Sequence, residues 1–428
     1  MPESKVRVPD LHPRERIVHI GLGAFHKAHQ AWYTQLVDPD QQWGIVAFTV
    51  RTPDAALALR KQNHQYTLLT RNAVEDSFLQ VNSILRAEDG AESELFKNSI
   101  TNPDTAIVTI TITEAGYGVD ASGEIDHNNP PIALVRLASA LESRRLLHGR
   151  GLAVVPCDNL PSNGKLLRGV MNDLFSKFGK VSQKWLESEI SFVSTSVDRI
   201  TPKITAGDLS LVKSETGRAE TVAVATEAFS SWVLEGDFPE GRPAWEQAGA
   251  VFVNDIKPFE QRKLWLLNGA HSILAYSGLV RGYRTVAQAM GDENCFNLVS
   301  RFWIEATRNL DIDDDEELYK KELIRRFSNS RIEHQLSQIT TDGVQKLCVR
   351  IIPVARAELA AGRSATASAM ALATWLNWRA PNVHLNSLDS LSELALAGVG
   401  ELDSGLAQNR NFVSKVTSFL LETERTLI

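Results

Sequence analysis

Arg16-Ile-Val-His-Ile20, run straight into Gly21-Leu-Gly23-Ala-Phe-His26, is the stretch whose reading decides the fold. The first five residues read as a short apolar strand. The next six hold two glycines one residue apart. From His26 to Val37, Ala28, Ala31, Trp32 and Leu36 then recur at helical spacing. Strand, glycine turn and helix in that order resemble a dinucleotide fingerprint. The first glycine permits the tight turn, and the second lets backbone N–H groups approach a pyrophosphate at the helix start. His26 stands where that pattern has its third glycine. Gly21 and Gly23, with Ala24 and Phe25 beside them, are candidate cofactor contacts; a plain strand-to-helix turn is the competing reading.

Further along, Trp43–Phe48 reads as a second strand, and Asp54–Gln62, with Pro53 at its start, as a helix. Ala106–Ile112 and Gly151–Val155 are apolar, β-branched strands, and Ile190–Ile200 reads as one more. Strands alternating with helices imply a parallel, doubly wound sheet. From about Pro258 onward nearly every segment has helical spacing: Pro258–Tyr276, Glu293–Arg308, Glu316–Arg326, Gly343–Ala361, Ala365–Trp378 and Asn411–Glu424. The expectation is an α/β sheet domain over residues 1–257 and a mostly helical domain over residues 258–428. The second strand ends Phe48-Thr-Val50-Arg51 and lacks the acid that usually binds a ribose. Arg51 could face a 2′-phosphate or simply be solvated, so NAD is expected and NADP stays open.

Lys263-Leu-Trp-Leu-Leu-Asn268-Gly-Ala-His271 places an ammonium, a carboxamide and an imidazole on one leucine-rich segment. On an α-helix advancing about 100° per residue, Asn268 lies about 140° round from Lys263, and His271 about 80°. These are groups that can take a proton from an alcohol and steady the oxyanion left behind. Taken singly, each has a bland reading: a surface lysine, a helix-ending Asn-Gly, a satisfied core histidine.

Composition narrows the field. The 428 residues are 43% hydrophobic and 23% charged, ordinary for a globular chain, and the net charge of −7 argues against nucleic-acid binding. Cys157, Cys295 and Cys348 are scattered and form no CxxC, and the ten histidines are equally dispersed, so a metal site is not expected. The three cysteines read as core residues. The opening Met-Pro-Glu-Ser-Lys has no apolar signal region, and no apolar run nears the roughly 18 residues of a membrane span, which together suggest a cytoplasmic protein. The oligomeric state stays open, a monomer being compatible.

Several blocks in order resemble the mannitol dehydrogenase family of long-chain, zinc-independent polyol and hexuronate oxidoreductases. They are Gly21-Leu-Gly-Ala-Phe-His26-Lys-Ala-His29-Gln30, Thr111-Ile-Thr-Glu114-Ala-Gly116-Tyr117, Cys157-Asp158-Asn159 with Asn163-Gly164, Phe192 to Pro202, and Lys263/Asn268/His271. The resemblance spans nearly the whole chain. It implies a Rossmann-type domain, a helical C-terminal domain and an active site between them. Lys263 would be the general base, which for a lysine near neutral pH requires burial or a neighbouring cation. Asn268 and Asn159 would donate to the developing alkoxide, His271 would orient a substrate hydroxyl, and Thr113 and Glu114 would face the cofactor. Asp198-Arg199 reads as an internal ion pair at the domain junction, and His26 and His29 as packing groups near the turn.

The substrate end is ambiguous. Ala115 stands where uronate reductases of the family tend to have Lys, which argues against a carboxylate. His334, Gln338 and Lys346 look more like the uronate pattern. His334 and Lys346 are candidate substrate contacts, and Arg331 a further cation. A polyol such as mannitol is the first expectation, with fructuronate/mannonate, arabinitol or sorbitol as alternatives. A non-catalytic dinucleotide-binding sensor is the reading from another class; it would have no need of the Lys263 set.

Overall fold

The structure, a computed structural model, describes residues 13–118, 130–312, 316–380 and 388–427. The chain divides into two compact units, Met1–Ile256 and Lys257–Ile428.

The strands of the first unit are β1 (Glu15–Ile20), β2 (Gly44–Phe48), β3 (Tyr66–Arg71), β4 (Asp76–Val81), β5 (Ile84–Glu88), β6 (Ile107–Ile110), β7 (Leu152–Pro156), β8 (Ile190–Phe192), β9 (Ser194–Asp198), β10 (Ala223–Glu227), β11 (Ser231–Glu235) and β12 (Val251–Phe252). Six of them form a parallel sheet in the order β5-β2-β1-β6-β7-β8. This sheet is buried on both faces. Ile17, Ala47 and Val155 enter one core, while Val18, Val46, Val108 and Val154 enter the other. A doubly covered strand is apolar along its whole length rather than alternately, which is why β1, β2, β6 and β7 stand out in the sequence.

Strand order reverses between β1 and β6, and in such sheets the crevice beyond the carboxyl ends at the reversal is the place for a ligand. Gly21, Arg51, Thr113 and Asn159 follow β1, β2, β6 and β7 respectively, so all four lie at those ends. Two small sheets, β10-β3-β4 and β12-β11-β9, complete the unit.

Two expectations change in the first unit. Ile190–Ile200 is not one strand: β8 joins the parallel sheet while β9 pairs antiparallel with β11. The helix after the glycine turn breaks at His29 (φ −120°, ψ −89°) into Ala24–Ala28 and Gln30–Val37. Arg199, expected beside Asp198 at the domain junction, bonds main-chain carbonyls within this unit. Its buried guanidinium donates to the carbonyls of Ala28 (2.5 Å) and Glu227 (3.2 Å) and lies over the Trp32 ring. It ties the broken helix to the strand region inside this one unit.

The second unit packs its helices around Leu266, Leu274, Phe302, Trp303, Trp375 and Phe412. The segment expected as a single helix over Pro258–Tyr276 is an α-helix (Lys257–Arg262), a π-helix (Lys263–Gly269) and a second α-helix (Ala270–Val280). Cys157 and Cys295 are buried free thiols and Cys348 is half-buried. Among the described residues no helix is long and apolar enough to cross a membrane, and no group of three or more His, Cys, Asp or Glu could hold a metal.

Candidate active site

The glycine turn is shaped by the strands on either side of β1. Gly21 has φ +110°, and a Cβ there would lie 1.9 Å from the Thr111 carbonyl oxygen, so no other residue fits without moving the end of β6. The N–H groups of Gly21 and Leu22 both donate to Phe48 O at 2.9 Å, and Thr111 Oγ1 donates to Gly21 O at 2.9 Å. Gly23 differs: its backbone is extended (φ −132°, ψ −175°), and an added Cβ would meet only Gly21 O, at 3.6 Å. Among the described residues nothing requires glycine at 23. Its missing side chain leaves the outer surface of the turn open to close approach.

His26 explains the missing third glycine. That glycine ordinarily lets helix and strand pack closely. Here the His26 ring stacks on His19 of β1 at 3.3 Å, the planes 8° apart, with both side chains fully buried. His19 is held by Thr109 Oγ1 (2.8 Å) and Thr111 Oγ1 (3.0 Å). Burial pushes His19 down to about 3, and burial, then His19 itself, holds His26 well below the ordinary histidine range. Both rings are therefore neutral at neutral pH. His29 packs against Phe25, Tyr33 and Trp232, with Nε2 bonded to Ser231 O at 3.0 Å.

At the end of β2, Thr49 Oγ1 accepts from Gly90 N–H (3.2 Å), and Arg136 donates to Gly90 O. With Phe48, Val50 and Phe96 these residues line a small hollow. Arg51 is exposed beyond it, and no acid of β2 itself faces the hollow.

The loops after β6 and β7 are joined by Asp158. Its carboxylate accepts from Ile112 N–H (3.0 Å), Thr113 N–H (2.9 Å) and the Tyr117 hydroxyl (2.7 Å). Thr113 is in the left-handed region, φ +67°, and Thr113 and Asn159 are both exposed. The side chains of Glu114 and Ala115 lie outside the described residues. Asn163 is fully buried and exchanges hydrogen bonds with Thr195 of β9, N–H to Oδ1 at 2.8 Å and Nδ2 to O at 2.9 Å. A Cβ on Gly164 would lie 2.5 Å from Ser194 N, so the Asn163-Gly164 pair is fixed by close packing on β9.

In the second unit the π-helix alters the geometry expected of Lys263 and Asn268. A π-helix closes its hydrogen bonds from residue i to i+5, so residues five apart return to the same face. Lys263 and Asn268 are five apart and begin and nearly end that π-turn. The 140° offset of an α-helix therefore does not apply to them; both are half-buried on one side, while Trp265, Leu266 and Leu267 are buried. Three side chains donate to carbonyls of the widened turn. Trp303 Nε1 donates to Leu266 O at 2.8 Å, Arg350 Nη1 to Asn268 O at 3.2 Å, and Ser272 Oγ to Asn268 O at 3.3 Å. Gly269 admits Phe302: a Cβ there would lie 2.7 Å from its ring. Sequence spacing has no signal for Trp303 or Arg350, since each lies tens of residues from the carbonyl it serves.

His271 is 7% exposed; its ring lies 4.8 Å from His334 at 82° and 4.7 Å from Phe327. Nε2 of His271 and Nδ1 of His334 are buried with no hydrogen-bond partner in the structure. Burial, then the charges of His334, Arg350 and Arg326, hold His271 well below the ordinary histidine range; burial and Arg326 lower His334. The two histidines singled out in the sequence are thus neighbours in a cationic setting. Lys346 lies on the helix Gly343–Arg350, which also carries Arg350, and its Nζ donates to Ile339 O at 3.2 Å.

Two family models match this chain: the mannitol dehydrogenase Rossmann domain over residues 15–247 and the mannitol dehydrogenase C-terminal domain over residues 255–420. The D-mannonate oxidoreductase of Escherichia coli (strain K12) is 34% identical over 451 aligned positions, covering 94% of this chain and 92% of that protein. A mannitol 2-dehydrogenase of Aspergillus terreus is 33% identical, covering 82% of this chain and 76% of that protein. The solved structure of Pseudomonas fluorescens mannitol 2-dehydrogenase, a ternary complex with NAD and D-mannitol, superposes with a TM-score of 0.80 at 29% identity, covering 95% and 91% of the two chains. The chain belongs to the mannitol dehydrogenase family of oxidoreductases.

Proposed function

We propose that this protein is a nicotinamide-dinucleotide-dependent oxidoreductase that interconverts a secondary alcohol and a ketone on an open-chain sugar alcohol. The observation that supports it most is the π-turn, whose i to i+5 closure gathers Lys263 and Asn268 on one face. In this reading Lys263 takes the alcohol proton, and the carboxamides of Asn268 and Asn159 donate to the alkoxide that develops. His271, neutral, offers one ring nitrogen to a neighbouring hydroxyl.

The glycine turn fits a dinucleotide, because Gly23 leaves room for a phosphate against bare backbone. Gly21, Gly23, Ala24 and Phe25 would hold the pyrophosphate, and Thr113, Glu114 and Arg51 would lie toward the rest of the cofactor. When bound, the nicotinamide supplies the hydride acceptor. NAD is favoured over NADP by the NAD complex of the structural relative.

Mannitol is the first substrate to try, on the mannitol 2-dehydrogenase relatives. A hexonate is the second reading. The setting of His271, with the guanidinium groups of Arg326 and Arg350 near it, suits a carboxylate, and the D-mannonate oxidoreductase relative points the same way.

The test is a screen of reduced-nicotinamide absorbance with NAD and NADP against mannitol, arabinitol, sorbitol, mannonate and altronate. Reduction by one of these is expected, and silence across the panel would sink the reading. The assigned groups are an amine base and carboxamide donors, which call on no divalent cation. Activity should therefore survive exhaustive dialysis against EDTA.

A further inference from the structure

Asp158 precedes the candidate oxyanion donor Asn159, yet its side chain is spent on another loop. Oδ2 accepts from Ile112 N–H and the Tyr117 hydroxyl, and Oδ1 from Thr113 N–H, at 3.0, 2.7 and 2.9 Å. Thr113 is the residue held at φ +67°, a conformation that a threonine keeps only when its surroundings impose it. The main chain of Asp158 is fixed independently. Its carbonyl accepts from Asn163 Nδ2 (3.0 Å) and Leu160 N–H (2.9 Å), and Asn163 is itself locked onto Thr195 of β9. Just upstream, Cys157 N–H donates to Ile110 O at 2.7 Å, fastening the end of β7 to β6. One end of Asp158 is therefore anchored in the sheet, while the other grips Ile112–Tyr117 through charge-assisted bonds, about twice as strong as neutral ones. Both carboxylate oxygens are committed to donors, so the group's role is to hold geometry rather than to move a proton.

We propose that Asp158 is a positioning residue that sets the Asn159 carboxamide in register with the cofactor-side loop Ile112–Tyr117. The proposal rests on the function proposed above, since it gives Asn159 an oxyanion to serve and the loop a nicotinamide to face. Its signature is selective. Misalignment of about an ångström between groups that meet at a reacting centre costs on the order of 10²-fold in rate while binding is largely kept.

The experiment is a double-mutant cycle on the full-length protein, read as kcat, KM, NADH affinity and melting temperature. Asp158→Asn should lower kcat by about 10²-fold with KM and NADH affinity within about threefold of wild type. If Asp158 acts through Asn159, then adding Asp158→Asn to Asn159→Ala should cost less than about threefold more. Tyr117→Phe, which removes one of the three bonds, should show a smaller loss with the same non-additivity, and it serves if Asp158→Asn does not fold. Losses that add in full, or a lowered melting temperature with unchanged kcat, would overturn the positioning role and leave the oxidoreductase reading standing. A wild-type protein that oxidises no alcohol with either cofactor would overturn both.

Discussion

At the scale of single residues, chemistry separates the base from its helpers. Lys263→Ala should reduce turnover by orders of magnitude while NADH binding, titrated by protein fluorescence, stays near wild type. Unchanged turnover would remove Lys263 from the role of base. Asn268→Ala should raise the barrier by about 2.7–4 kcal/mol, seen in kcat; a loss confined to KM would mark it as a ground-state contact. The stacked histidines carry a pH dependence whose sign is fixed. An unfolded histidine titrates near 6.5, whereas burial pushes His19 down to about 3 in the fold. Between those values the unfolded chain binds a proton that the native one does not, so stability should fall as pH drops from about 6.5 toward 3 and be level above. Urea unfolding across that range checks it. The His26 substitution is plain in the sequence, but the reason for it is not. His19 lies only seven positions earlier, on a strand whose alternation does not announce which face it takes.

Elements were legible where burial is uniform and illegible where distant partners decide. The strand–turn–helix start and the apolar β6 and β7 follow from composition, because both faces of the sheet are covered. The π-turn does not follow from local spacing. Trp303 and Arg350 donate to its carbonyls, and Gly269 admits Phe302. Two substitutions test that account. Trp303→Phe keeps an aromatic ring but removes the Nε1 donor to Leu266 O, a loss of about 0.5–1.5 kcal/mol in chemical unfolding. Gly269→Ala drives a methyl into Phe302 and should destabilise by about 1–3 kcal/mol. It should also depress kcat, since Asn268 is next in the chain; an active, fully stable Gly269→Ala protein would contradict the packing argument. Val193, where β8 passes into β9, is a smaller example: an apolar residue that reads as mid-strand marks a change of sheet.

For the whole molecule, the passage from alternating strands and helices to helices alone was visible because each class has its own period. The substrate was not, because the groups proposed to meet it lie far apart in sequence, such as His271 on its helix and His334 in the loop before Leu336–Ile339. A chain of two compact units need not unfold in one step. If the first unit holds the dinucleotide, NADH at about one hundred times its dissociation constant should stabilise that unit by about 2.7 kcal/mol. Calorimetry should then show the transition of residues 13–256 moving upward, with Gly21→Ala abolishing the shift.

The free thiols have a practical consequence. Burial raises all three, Cys295 to about 11 and Cys157 further still, and the half-buried Cys348 lies against Leu402 O. The thiolate is the reactive form, and at neutral pH it is scarce at every native cysteine. The buried Cys157 and Cys295 should therefore react slowly with maleimides in the native chain, which leaves the half-buried Cys348 as the native thiol to replace before a surface cysteine is tagged.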